Sequence, residues 1–330
     1  MISEAGNTRE AAPLYFKMEA KLDGYYQTAV VGLSPGHPQK GSKGRDASIA
    51  SERMDIVVGS GVRGQSYLYW HGDLLYELPV SYWSDSRRWI NSPGYGNGTM
   101  DFSRPIYPRC LECHASYIEP RLPGPLTNRY YKESLVTGIS CESCHGPGAE
   151  HVALQQENSP DADLTGRAIL NPAKFSRDRQ VDLCALCHSG THYEEIRPAF
   201  SFLPGKQLDD YLRSDNRDVD EHPNLHANQV GLLEKSRCYL SSKEMSCSTC
   251  HNTHAPEQST ASYSARCLSC HKVRECGMSS TVGPKIAEDC IDCHMPVEPT
   301  SAIFSETANQ LFRPKMRNHW IKVYALSAAK

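Results

Sequence analysis

The sequence predicts short α-helices and coil folded around bulky material that is not polypeptide, with a small antiparallel β unit near the N-terminus. Three observations predict this. Hydrophobic residues make up only 39% of the 330, and mean hydropathy is −0.53. The chain carries 23 glycines and 21 prolines, so the polypeptide alone would build a thin core with many loops. Twelve of its 14 cysteines fall into six copies of one pattern, Cys-x-x-Cys-His.

The copies are Cys110–Cys113–His114, Cys141–Cys144–His145, Cys184–Cys187–His188, Cys247–Cys250–His251, Cys267–Cys270–His271 and Cys290–Cys293–His294. Two thiols three positions apart can each add to one vinyl group of the same porphyrin, and the imidazole that follows then lies under the iron. Paired cysteines also build four-cysteine zinc sites, but zinc does not explain a histidine after every second cysteine. The reading is therefore six haem c groups with six proximal histidines, which makes the fold mainly short α-helices and coil wrapped around six covalently bound haems.

The β unit belongs to residues 1–105, which hold no motif. Arg53-Met-Asp-Ile-Val-Val58 and Ser66-Tyr-Leu-Tyr-Trp70 are rich in β-branched and aromatic residues, and His71-Gly-Asp73 reads as a turn before Leu74–Val80. Residues 34–46 read as a loop. A haem domain is expected over 106–300, its motifs separated by 26, 38, 58, 15 and 18 residues, which excludes a repeat of fixed length. Within it, Pro223 suits the first turn of a helix running through Leu225, Val230 and Leu233 towards Arg237, with His226 inside it. Residues 301–330 form a tail that supplies a distal histidine, with Pro314 as a break before Arg317–Tyr324.

Eight histidines remain after the proximal ones: His37, His71, His151, His192, His222, His226, His254 and His319. They suffice for bis-histidine ligation of every iron. His254, His192 and His151 follow their own proximal histidines so closely that none can reach round a flat porphyrin, so each is expected to ligate a neighbouring haem. Linkers of that kind clamp macrocycles together. His254, His226, His319, His151 and His192 are the expected distal ligands. The sixth place is open between His71, which is favoured, His37, His222, Met245 and Met295. Cys238 and Cys276 lie outside the motifs and are expected to form one disulfide.

Haem of this type is attached outside the cytoplasm, so a periplasmic, cell-surface or extracellular location is expected. The start, Met1-Ile-Ser-Glu-Ala-Gly6, lacks the basic region and apolar run of a secretory leader, and reads as a mature or trimmed chain. No stretch is long and apolar enough to be a transmembrane segment. The formal charge is −3, and the propionates of six haems make the holoprotein more acidic. Nucleic acid is thus excluded, and redox proteins or an extracellular acceptor are the expected partners.

Several short stretches strengthen one another: GSG at 59–61 before SYLYW, LPVSYW at 78–83, INSPGY at 90–95, CHGPGAEH ending at His151, HANQ from His226, CSTCHNTH ending at His254, and CIDCHMP with RNH ending at His319. Together they resemble the multihaem cytochromes related to the tetrahaem electron carrier of ammonia oxidisers and, more distantly, to hydroxylamine oxidoreductase. The resemblance implies short helices and loops around stacked and perpendicular haem pairs, with electron transfer as the activity. It also implies distal roles for His151, His226, His254 and His319. Many relatives place a histidine between the GSG and the SY, where this chain has Arg63, which leaves one distal ligand open.

Electron transfer as a carrier or conduit subunit is the leading expectation. Such chains polymerise into filaments, or form other homo-oligomers, when terminal haems are exposed at both ends. The alternative is an oxidoreductase acting on a small nitrogen or sulfur compound at one open haem, although no Cys-x-x-Cys-Lys variant marks one.

Overall fold

The computed structural model describes residues 14–32, 47–157, 168–214, 224–255, 259–306 and 310–324. His37, His222, Pro223 and all of the expected loop at 34–46 lie outside them. The chain forms two compact units, 1–139 with 198–200 and 303–314, and 140–197 with 201–302 and 315–330. These units do not follow boundaries at 105 and 300, and the first motif belongs with the N-terminal strands.

In the first unit, β1 (Leu14–Lys21), β2 (Gly24–Val31) and β3 (Ala47–Arg53) form an antiparallel sheet in that order. A second sheet holds β4 (Ile56–Val58), β5 (Gly64–His71), β7 (Val80–Trp83) and β8 (Arg88–Asn91), with β6 (Leu74–Glu77) also paired to β5. The β5–β6 hairpin turns at Gly72 and Asp73, where Gly72 takes φ +62°. A glycine at the first turn position matches the right-handed twist of the strands it joins. Phe16, Ala29 and Val80 pack into one cluster. The fully buried Gln27 side chain donates to Val80 O at 2.6 Å and accepts from Val80 N at 3.1 Å, so an amide side chain completes the backbone pairing of β7.

The helix α1 (Pro108–Glu112) and the hairpin of β9 (Ala115–Pro120) and β10 (Tyr130–Thr137) complete the main core of this unit. Leu68 and Leu75 pack there against Ile106, Leu111, Ala115, Ile118 and Tyr130. The β unit is therefore larger than the sequence suggested. Strands 14–31 went unread because polar residues interrupt their alternation, and the tertiary contacts of Phe16 and Gln27 decide them.

In the second unit, α2 (Glu142–His145), α3 (Ala149–Gln156) and α4 (Arg177–His188) are followed by the short pair β11 (Tyr193–Glu195) and β12 (Leu212–Ser214). Then come α5 (Gln229–Leu233), α6 (Arg237–Ser241), α7 (Thr260–Cys267), α8 (Ser279–Val282) and α9 (Cys290–His294). The core is small: Val181, Ala185, Leu208, Leu212, Val230 and Tyr239. No described helix is long and apolar enough to cross a membrane.

The expected helix through His226 is broken. His226 precedes α5 because Asn224 Oδ1 accepts its N–H at 3.0 Å and Ala227 takes φ +55°. That conformation cannot continue a right-handed helix.

Candidate haem centres

Each motif is a single tight turn. The N–H of His145, His251 and His271 donates to the carbonyl of Cys141, Cys247 and Cys267 respectively, at 2.9 Å in each case. The third motif ends α4, and the sixth makes up α9. Residues three apart on such a turn share a face, so both thiols and the imidazole are presented together. The first motif differs: His114 N donates to Leu111 O at 2.9 Å, and β9 starts at the next residue.

The imidazoles are oriented by their own hydrogen bonds. Nδ1 of His145 meets Leu170 O at 2.8 Å, Nδ1 of His294 meets Lys322 O at 2.9 Å, and Nδ1 of His319 meets Arg317 O at 3.1 Å. Nδ1 of His188 meets Gln229 Oε1 at 3.0 Å. A carbonyl can only accept, so Nδ1 carries the proton in all four rings and Nε2 keeps its lone pair for a metal. Burial pushes the His319 pKa down to about 4, helped by the fields of His251 and His188, so this ring is neutral at ordinary pH. Burial also lowers the pKa of His114.

Two ring pairs span motifs. His145 and His254 have ring centroids 6.0 Å apart with planes inclined by 25°, and His251 and His319 have 6.1 Å and 22°. Two metal–nitrogen bonds of about 2.0 Å, each extended by roughly 1.2 Å from nitrogen to ring centre, need a centroid separation of about 6.4 Å. The pairs stand at the separation that one shared metal would need. His254 lies three residues beyond His251, yet its ring faces His145.

None of the fourteen cysteines is joined to another by a disulfide. Cys184 and Cys247 are hydrogen-bonded, which raises the pKa of Cys184 and lowers that of Cys247. Burial raises the pKa of Cys110, Cys144, Cys250 and Cys293, and that of Cys267 to about 11. Among the described residues, no group of three or more Cys, His, Asp or Glu is arranged to hold a metal ion on its own.

Residues 96–146 match the family profile for cytochrome c554 and c-prime, a stretch that takes in the first two motifs and ends just after His145. The multiheme cytochrome MtrA of Shewanella baltica is 26% identical over 204 residues, 57% of this chain and 56% of that protein. The C-type polyheme cytochrome OmcB of Geobacter sulfurreducens is 31% identical over 84 residues, 25% of this chain and 9% of that protein. Over these stretches the chain is similar to multihaem c-type cytochromes. It spans 56% of the length of the first of these relatives and far less of the second. No solved structure matches.

Haem c is the cofactor of this family, and the chain's residues fit it: paired thiols on one turn, proximal rings with Nε2 bare, and second rings at the right separation. The remaining histidines of the cytochrome are less constrained. His151 lies on α3, His192 is exposed beside β11, His226 is half-buried before α5, and His271 is exposed at its motif. His71 ends β5, within electrostatic reach of Glu52, and makes no ring contact with His114.

One expectation is corrected. Cys238 and Cys276 are not bonded to each other; Cys238 lies within electrostatic reach of Cys250 and Cys267, and Cys276 within reach of Cys293. Arg63 pairs with Asp85 at 3.6 Å just before β5, at the opposite end of that strand from His71. What spacing did not reveal were the residues that orient the rings: Leu170, Arg317 and Lys322, whose backbone carbonyls carry no sequence signature, and Gln229, whose side chain does the same for His188.

Proposed function

We propose that this cytochrome carries six haem c groups and transfers electrons along them as a carrier or conduit subunit outside the cytoplasm. The observation that carries this reading is the cross-motif ring pairing: His254, from the fourth motif's segment, faces His145 of the second, and His319, from the tail, faces His251. A chain that lends each motif's neighbour a second imidazole holds adjacent macrocycles close. Bound haem iron supplies one-electron ferric–ferrous chemistry.

The roles of the residues follow. His145 with His254, and His251 with His319, serve as axial pairs. His151, His192, His226 and His71 are the remaining candidates for the other second axial positions. The thiols also support a relay in sequence order. Cys144 is within electrostatic reach of Cys184, Cys184 touches Cys247, Cys250 neighbours Cys267, and Cys267 neighbours Cys290. Partners are redox proteins or an extracellular acceptor, and oligomers or filaments form where terminal haems meet.

Intact mass after acid denaturation tests the reading. The expected value is the polypeptide plus six haems, with all ferric haems low-spin; fewer than five covalent haems would overturn it. A second reading, turnover of a small nitrogen or sulfur compound, attaches to the one haem whose second ligand the sequence leaves open, where Arg63 stands in place of a histidine. Carbon monoxide binding by one haem of the reduced protein, with turnover of nitrite or hydroxylamine, would favour it.

A further inference from the structure

Of the four histidines whose Nδ1 contact is described, three lean on backbone carbonyls and one leans on a side chain. Gln229 Oε1 lies 3.0 Å from Nδ1 of His188. The amide could in principle present either end, but its Nε2 donates to Leu225 O at 3.1 Å. A carbonyl only accepts, so the NH2 group must face Leu225 and the oxygen must face the ring. That fixes the proton on Nδ1 of His188 and leaves Nε2 bare.

The support is itself held in place. Gly190, two residues beyond His188, donates its N–H to Ala227 O at 2.6 Å, and Ala227 takes φ +55°. Gln229 then opens α5, whose Val230 packs into the core that contains Val181 and Ala185 of α4. The helix that carries the third motif and the segment that carries the amide are thus one packed body.

We propose that Gln229 is a positioning residue for His188: it fixes the ring's tautomer and orientation, sets its donor strength, and so sets the potential of the third haem. This rests on the reading that Cys184, Cys187 and His188 hold a haem. An acceptor at Nδ1 gives the imidazole imidazolate character and makes it a stronger donor, which favours the ferric state. A neutral amide does this weakly, and a carboxylate would do it strongly. A side chain with no acceptor would not do it at all. Unlike the backbone carbonyls behind His145, His294 and His319, this acceptor can be exchanged by substitution.

The test uses the full-length holoprotein with Gln229→Glu and Gln229→Leu. Peptide mapping first asks whether haem remains on the peptide containing Cys184 and Cys187. Spectroelectrochemical titration then follows the six one-electron waves. The expected result is that one wave moves in opposite directions. Gln229→Glu shifts its equilibrium at least tenfold towards the ferric form, about 59 mV for one electron, and Gln229→Leu shifts it towards the ferrous form, while five waves stay in place. A merely structural role would move both variants the same way. Shifts of the same sign, or no shift with haem retained, would overturn the role of Gln229. A peptide that carries no haem in the unaltered protein would instead overturn the haem reading beneath it. If the leucine variant fails to fold, Gln229→Met, which also offers Nδ1 no carbonyl or carboxylate oxygen, takes its place in the comparison with Gln229→Glu.

Discussion

His145 and His254 belong to different motifs, yet their rings stand 6.0 Å apart with planes 25° from parallel. Neither ring is deeply buried, and Leu170 O anchors the first from behind. Nothing in the polypeptide alone requires two imidazoles to face each other at a distance too long for a hydrogen bond between them. The separation matches the one that a shared metal would need.

Replacing His254 with alanine should therefore leave the covalent haem count unchanged and turn one low-spin haem high-spin. Electron paramagnetic resonance of the oxidised protein checks this. An unaltered spectrum would mean that His254 is not an axial ligand.

The pH dependence follows from His319. Its pKa is lowered to about 4 by burial first, whereas an unfolded histidine titrates near 6.5. Between those values the unfolded chain binds a proton that the folded chain does not, so stability falls as pH drops through this window and is full above it. The loss amounts to roughly 3 kcal/mol at its largest. The low-spin signal of the fourth haem should accordingly be lost only on strong acidification, whereas His319→Ala should be high-spin at every pH. Absorption spectra recorded during an acid titration decide it.

The six motifs were legible because thioether chemistry fixes both spacing and residue type, and nothing else in the chain repeats. That His254 would look away from its own motif was expected from its place three residues after His251, and its ring does lie near that of His145. The partners of His254 and His319 were not, since nothing local says which ring a distal residue will meet. Nor was the break at Ala227, where a positive φ overrides a plausible helical pattern. The N-terminal sheet escaped for a similar reason: the Gln27 side chain is fully buried only because Val80 offers both a donor and an acceptor.

Inside the first motif, Arg109 and Glu112 form an ion pair at 2.6 Å with both side chains 7% exposed. The other carboxylate oxygen of Glu112 accepts from Phe200 N at 2.6 Å, and Phe200 holds φ +65°. Glu112→Gln removes the charge that balances a buried guanidinium, and should cost about 3–5 kcal/mol. Arg109→Met combined with Glu112→Leu should cost less than Glu112→Gln, since no buried charge is then left alone. Chemical denaturation of the three holoproteins measures the difference, and a double variant weaker than the single one would contradict this account.

The tail is held to the last motif by Arg317. Its Nη1 donates to Ile291 O at 2.9 Å and Met295 O at 2.8 Å, and its Nη2 meets Asp292 Oδ1 at 2.8 Å. These are the end carbonyls of α9, which a cation satisfies well. Two residues on, His319 O accepts from Ser236 Oγ at 3.1 Å, and Ser236 Oγ accepts from Ile321 N at 2.7 Å. The position of His319 over His251 therefore depends on a guanidinium that touches neither ring. Arg317→Ala should lose about 2–4 kcal/mol, as charge-assisted hydrogen bonds are worth roughly 1.5–3 kcal/mol each and water replaces part of them. It should also turn part of the fourth haem high-spin without changing the mass. Arg317→Lys keeps the charge but not the fork that reaches two carbonyls and a carboxylate together, so it should fall between the two. Resonance spectra and thermal melts of both variants test this, and a fully low-spin Arg317→Ala protein would show that Ser236 alone suffices to hold His319.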